Sequence, residues 1–216
     1  MTLTLFHTPG TRSVRARWLM EEMGVPYELK TLEYDGAYFA SDAFRKINPM
    51  GKIPAMYDGE TLIIESVAIM QYVMERFGPT DLNVPADDPE FATYLQWLHM
   101  GEGGVSGYIA VSFGHASGED PYQVTDAFDE YCRYQLEKAL GMLEGRLQDR
   151  EHILDCGFSA ADISMGYALM FAAVCTGATY SQIVSAYLGR LMARPAMKRA
   201  LSDIPREQLA IVRTSA

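Results

Sequence analysis

Three short stretches near the start of the chain carry residue types suited to binding and activating a small polar molecule. The first is Pro9-Gly10-Thr11-Arg12-Ser13-Val14-Arg15, where a β-prone run passes into a helical one. A hydroxyl at a helix start can donate a hydrogen bond to a thiolate, and the positive end of the helix adds a favourable field. A thiol with an ordinary pKa of about 8.5 needs about 2.7 kcal/mol of preference for its anion to titrate near 6.5. One charge-assisted hydrogen bond supplies on the order of 1.5–3 kcal/mol. Thr11 and Ser13 are the candidate hydroxyls, with Arg12 between them to lend positive charge. Either hydroxyl, taken alone, is also an ordinary helix cap.

The second stretch is Lys52-Ile53-Pro54. A proline opening a strand cannot donate to the ladder and belongs at an edge or a bend. A cis bond there turns the N–H and C=O of Ile53 toward an extended peptide, which can add like one more strand. The plainer reading is a trans proline on an edge strand. The third stretch is Glu65-Ser66, between a strand pattern and a helix pattern. Ser66 reads as an N-cap, and a helix start suits a carboxylate. Glu65 beside it suits an ammonium, so the pair fits a zwitterionic α-amino-acid head. A cap and a solvated acid are the plainer readings. A fourth motif, Phe158-Ser159-Ala160-Ala161-Asp162-Ile163, has the spacing of a capping box with a hydrophobic staple and is assigned structure, not chemistry.

The elements that must position these residues follow from periodicity. Residues 2–6 form a β-prone run, and His7-Thr8-Pro9-Gly10 reads as a turn. Ala16, Leu19, Met20 and Met23 make one helical stripe, which Gly24-Val25-Pro26 ends. A second strand is expected over 27–32, then a loop with a short helix over 34–47. Two β-runs joined by Asp58-Gly59 read as a hairpin. A helix with Met70, Val73, Met74 and Phe77 on one face ends at Gly78-Pro79. The order β-α-β-(α)-β-β-α is that of a thioredoxin-like sheet. Beyond a polar linker over 79–88, strand patterns stop. Helices are expected over 91–115, 160–175, 180–193 and 195–201, with one more bearing the stripe Phe128, Cys132, Leu136, Ala139, Leu140, Leu143 and Leu147. The expected architecture is an α/β thioredoxin-like N-terminal domain, residues 1–78, plus an all-α C-terminal domain, residues 89–216. The tail from Asp203 carries little signal.

Composition narrows the function classes. A net charge of −10 argues against sequence-independent binding of nucleic acid. No apolar run approaches the ~18 residues of a membrane span. Met1 to Phe6 lack the features of a signal peptide. The three cysteines, Cys132, Cys156 and Cys175, form no Cys-x-x-Cys and fit free thiols in a reducing cytoplasm. The four histidines, His7, His99, His115 and His152, show no metal-ligand spacing, so no metal is expected. Gly101-Glu102-Gly103-Gly104 follows a helical pattern rather than a strand, so its glycines are read as a bend or a close backbone approach, not a nucleotide loop. His99 and His115 are read as solvated.

The ordered set Leu5-Phe6-His7-Thr8-Pro9-Gly10-Thr11-Arg12-Ser13, Ile47-Asn48-Pro49-Met50-Gly51-Lys52-Ile53-Pro54-Ala55-Met56, Glu65-Ser66-Val67-Ala68-Ile69-Met70-Gln71-Tyr72 and Ser159-Ala160-Ala161-Asp162-Ile163 resembles the cytosolic glutathione transferases, most nearly their bacterial beta-like branch. The resemblance spans essentially the whole chain. It implies that Ile53, with Pro54 cis, binds the cysteinyl backbone of glutathione. Glu65 and Ser66 take its γ-glutamyl head, and Lys52 approaches its glycyl carboxylate. It also implies a helical-domain pocket for a hydrophobic electrophile, with Met100, Tyr108, Ile109 and Phe113 as lining candidates, and a cytoplasmic homodimer. Where beta-class members carry a cysteine before a serine, this chain reads Arg12-Ser13. A serine- or threonine-type site is therefore expected, through Ser13 or Thr11, with the lean toward Ser13. The implied activity is transfer of glutathione to electrophiles. The alternatives are a related glutathione-dependent reaction or a non-catalytic scaffold of the same fold.

Overall fold

The computed structural model describes residues 2–117 and 124–205, with the side chains of 114–117 left aside. Its described part forms two compact units. The first combines residues up to Asn83 with Arg194–Ile204; the second comprises Val84–Ala193.

In the first unit, β1 (Leu3–His7), β2 (Tyr27–Thr31), β3 (Ala55–Asp58) and β4 (Thr61–Ile64) form a sheet of order β2-β1-β3-β4. β1 runs parallel to β2 and antiparallel to β3, and β3 is antiparallel to β4. The hairpin turns through Gly59 and Glu60, one residue later than Asp58-Gly59 suggests, because Asp58 still pairs with Thr61. Gly59 supplies the positive φ that the turn needs, 61°. Along β1 the side chains alternate, burying Leu3, Leu5 and His7. Helix α1 (Ser13–Met23) is buried all round from Ser13 to Met20, Arg15 and Arg17 included. It packs against the sheet, against α4 (Ser66–Phe77) and against α10 (Pro195–Ala200). Residues 34–47 hold two short helices, α2 (Gly36–Ala40) and α3 (Asp42–Arg45), capped by Asp35 and Ser41.

The last helix corrects the linear division expected from sequence. Residues 194–204 belong with the sheet unit, not with the helical one. The cause is packing against α1, reinforced by Arg194 on Glu22 at 2.6 Å and Arg199 on Glu21 at 2.6 Å.

The second unit contains α5 (Phe91–Met100), a π-helical segment (Gly101–Ser106), α6 (Gly107–Ser117), α7 (Asp126–Leu147), α8 (Ala160–Thr176) and α9 (Gln182–Ala193). α8 is apolar on every side and buried from Ala160 to Met170, as a central core helix must be. The glycine run interrupts the helix expected over 91–115 with wider turns. At Gly101 a Cβ would lie 2.5 Å from the Ser164 carbonyl oxygen, so glycine is required for the approach of α8. On α7 the expected stripe holds at Cys132, Ala139, Leu143 and Leu147, while Phe128 is exposed. No described helix is long and apolar enough to cross a membrane.

Candidate functional site

The sheet register gathers the candidate residues at one end of the first unit. Phe6 at the end of β1 pairs with Ala55 at the start of β3, and Ala55 pairs with Ile64 at the end of β4. The loop after β1, the Ile53-Pro54 bend and the Glu65-Ser66 step are therefore neighbours by topology. This is the sheet end at which ligands bind in open α/β folds, beyond the ends of the strands.

The bend before β3 is held from below by Asn48, which is buried. Its Nδ2 donates to the Lys52 carbonyl at 2.5 Å, and its Oδ1 accepts from the Met50 N–H at 2.9 Å. Gly51, at φ 64°, lies where a Cβ would meet the Phe39 carbonyl oxygen at 2.7 Å. The Ile53-Pro54 bond is cis. Pro54 is buried, Ile53 half-buried and the Lys52 side chain exposed.

At the start of α4, Glu65 is the N-cap and Ser66 the first helical residue, which corrects the expectation that Ser66 caps. Glu65 makes no side-chain cap bond and sits at φ 68° and ψ 116°. A non-glycine residue at positive φ costs on the order of 1–3 kcal/mol and persists where function needs it. The α4 start thus receives no cap bond from its N-cap side chain, and the Glu65 side chain is exposed. Beneath it, the fully buried Arg15 donates to Ser66 Oγ at 2.7 Å. Its guanidinium adds positive potential at a helix terminus already suited to anions.

At the start of α1, neither hydroxyl caps the helix; Arg12 is the N-cap and makes no side-chain cap bond. Ser13 is fully buried and turned inward. Its Oγ accepts from the Thr8 N–H at 3.3 Å and lies 2.7 Å from His7 Nδ1. Thr11 is half-exposed, 2.8 Å from Ser13 Oγ and 2.8 Å from the Thr8 carbonyl, to which it donates. Arg12 is half-buried.

Behind the hydroxyls lies a cluster that sequence reading missed. His7 Nε2 is 3.0 Å from Asp203 Oδ2, and Arg17 Nη1 donates to the same oxygen at 2.8 Å. Burial, outweighing Asp203, lowers the His7 pKa to about 4, so its imidazole is neutral near pH 7. His7 was legible in principle, because the alternation of Leu3 and Leu5 places the next odd residue inside. Asp203 had no local signal. Among the described residues no group of His, Cys, Asp and Glu is arranged to hold a metal ion.

In the second unit the motif expected to be structural is so. The Ser159 N–H donates to Asp162 Oδ2 at 2.9 Å, and the Ala161 N–H donates to Ser159 Oγ at 3.3 Å. Asp162 also accepts from the Ile153 N–H and the Tyr187 hydroxyl, both at 2.9 Å. Of the pocket-lining candidates, Ile109 is buried, Tyr108 meets Tyr131 edge-on and Phe113 is exposed. His99 is exposed, and the His115 side chain lies outside the described residues.

Strand order, hairpin and flanking helices define a thioredoxin-like unit joined to a helical one. The glutathione transferase URE2P6 of Phanerochaete chrysosporium, solved with oxidized glutathione, has the same fold at TM-score 0.80, covering 97% of each chain at 23% identity. Residues 1–75 match the family model of the glutathione S-transferase N-terminal domain. The chain is 30% identical to glutathione S-transferase GstA of Escherichia coli O157:H7 over 212 residues, covering 93% of this chain and 98% of that one. Glutathione S-transferase 3 of Schizosaccharomyces pombe is 34% identical over 111 residues, 51% of this chain but only 45% of its own length. The chain belongs to the glutathione S-transferase family.

Proposed function

We infer that this chain is a glutathione transferase that presents the thiolate of glutathione to electrophilic, largely apolar small molecules. The observation that carries the reading is the convergence of Thr11, Ile53 and Glu65-Ser66 at one end of the sheet. Ile53 pairs with the cysteinyl backbone as an added strand would. The start of α4, with Arg15 behind Ser66, takes the γ-glutamyl carboxylate, and Glu65 takes its ammonium. Lys52, exposed beside the bend, takes the glycyl carboxylate.

Thr11, not Ser13, is assigned the sulfur. Its hydroxyl is the more accessible, whereas Ser13 is fully buried against His7. Arg12 contributes positive charge nearby. With the thiolate formed and the partner held beside it, proximity does the rest of the chemistry. The lack of any cysteine before Cys132 disfavours a cysteine-based site. The reading extends to a symmetric homodimer acting in the cytoplasm, to be checked by sedimentation and fractionation.

The test is retention on immobilised glutathione, elution by free glutathione, and turnover of a panel of general electrophiles. Specific elution with turnover is expected. Specific elution without turnover favours a non-catalytic scaffold, and no retention overturns the reading.

A further inference from the structure

The cluster behind Thr11 is a continuous line of short polar contacts running inward from the assigned sulfur position. Thr11 Oγ1 lies 2.8 Å from Ser13 Oγ, Ser13 Oγ 2.7 Å from His7 Nδ1, and His7 Nε2 3.0 Å from Asp203 Oδ2. At its outer end Thr11 Oγ1 also sits 2.8 Å from the Thr8 carbonyl. Each such contact needs one proton between its two heavy atoms.

With His7 neutral, these four contacts and a longer one from Ser13 Oγ to the Thr8 carbonyl, 3.3 Å, share three protons: one on the imidazole and one on each hydroxyl. The Asp203 carboxylate claims the Nε2 proton, which leaves Nδ1 as an acceptor. Ser13 then donates to Nδ1, and Thr11 is left to choose between Ser13 and the Thr8 carbonyl. That carbonyl does not depend on the hydroxyl, since it already accepts from the Thr11 backbone N–H at 3.2 Å. The line has fewer protons than contacts and ends in a buried base.

We propose that Thr11, Ser13 and His7 form a proton wire that takes up the thiol proton of bound glutathione. The inference rests on the assignment of Thr11 to the sulfur. In the transfer the S–H bond breaks and its proton bonds to Thr11 Oγ1. The Thr11 hydroxyl proton passes to Ser13 Oγ, and the Ser13 hydroxyl proton passes to His7 Nδ1. No atom is gained or lost: a thiol and an imidazole become a thiolate and an imidazolium.

From the sulfur inward each contact then holds one proton, and Thr11 no longer donates to the Thr8 carbonyl. Thr11 donates to sulfur, Ser13 to Thr11, Nδ1 to Ser13, and Nε2 to Asp203. The charged groups facing His7 are Asp203, which follows α10, and Arg17 on α1, whose Nη1 is 3.4 Å from Nε2. Asp203 stabilises the imidazolium, while burial and Arg17 keep the imidazole unprotonated until a thiolate forms nearby. His7, Ser13 and Asp203 act through Thr11 and are positioning residues.

The test counts protons. Glutathione is titrated into the full-length protein near pH 7 by calorimetry in buffers of differing ionisation heat, while ultraviolet difference absorption records the thiolate. The wire predicts a full thiolate band with clearly less than one proton released per site. S-methylglutathione, which has no thiol proton, releases none. In Ser13→Ala the wire is cut, so binding persists and either the band is lost or its proton goes to the buffer. A full thiolate band with one whole proton released from the unaltered protein overturns the wire while leaving the glutathione site intact. No binding overturns the site itself.

Discussion

Two helix starts in this molecule solve the same electrostatic problem in opposite ways. The start of α8 is closed by its own chain: Ser159 and Asp162 satisfy local N–H groups, and Asp162 also accepts from Ile153 and Tyr187. The start of α4 has no side-chain cap bond, its N-cap Glu65 is held at φ 68°, and a buried arginine reinforces its positive potential. One terminus is spent on stability, and the proposed function keeps the other for a ligand. A helix start whose N-cap makes no bond, under a strained residue, signals binding where a closed one signals folding.

Substitutions sharpen the contrast because stability and binding move separately. Asp162→Ala leaves the Ser159 N–H and hydroxyl, the Ile153 N–H and the Tyr187 hydroxyl without their buried acceptor, and stability is expected to fall by roughly 3–5 kcal/mol in urea unfolding. Loss below 1 kcal/mol there would show that the closed start does not govern folding.

The buried imidazole beneath α1 gives the next largest effect, through pH. His7 has a pKa of about 4 in the folded chain, against 6.5 as its ordinary value. The unfolded chain therefore binds a proton in this window that the folded chain refuses. The contribution is whole above pH 6.5 and is lost as pH falls toward 4, to the extent of roughly 3 kcal/mol. Urea unfolding at several pH values checks it, and the slope in this window is expected to shrink in His7→Gln.

At the open start the order of effects reverses. Glu65→Gln with Ser66→Ala is expected to weaken glutathione by at least tenfold, about 1.4 kcal/mol, while Glu65→Gln alone is expected to change the melting temperature little, because only Ser66 accepts from the buried Arg15. Unchanged affinity by calorimetry removes the γ-glutamyl assignment. Glu65→Gly relieves the positive φ, so it is expected to stabilise by about 1 kcal/mol while weakening glutathione. A loss of stability would mean that the strain is not stored there.

Much of the frame was legible because it rests on local rules. A β-prone run marked β1, Asp58-Gly59 marked the hairpin within one residue, and Ser159 with Asp162 marked the α8 start. The glycines at 101–104 pointed to a close approach, which Gly101 makes against α8. What escaped depends on contacts distant in sequence. Nothing local marks Arg15 and Arg17 as interior residues, yet α1 is enclosed on all sides and both are buried. Ending the first strand at Phe6 placed His7 in a turn rather than on the inward face. Asp203 meets His7 across 196 residues, a separation that no local pattern bridges. Ser13 and Thr11 looked equivalent because their difference lies only in which way each hydroxyl faces.

The central claim is that Thr11, at the start of α1, holds the sulfur of glutathione as a thiolate. Its most direct test is a pH titration of the thiolate absorption with the site saturated by glutathione, in the unaltered protein and in Thr11→Ala. The account predicts a band that persists well below the pKa of the free tripeptide, and whose midpoint rises in Thr11→Ala more than affinity falls. Identical midpoints in the two proteins would contradict it.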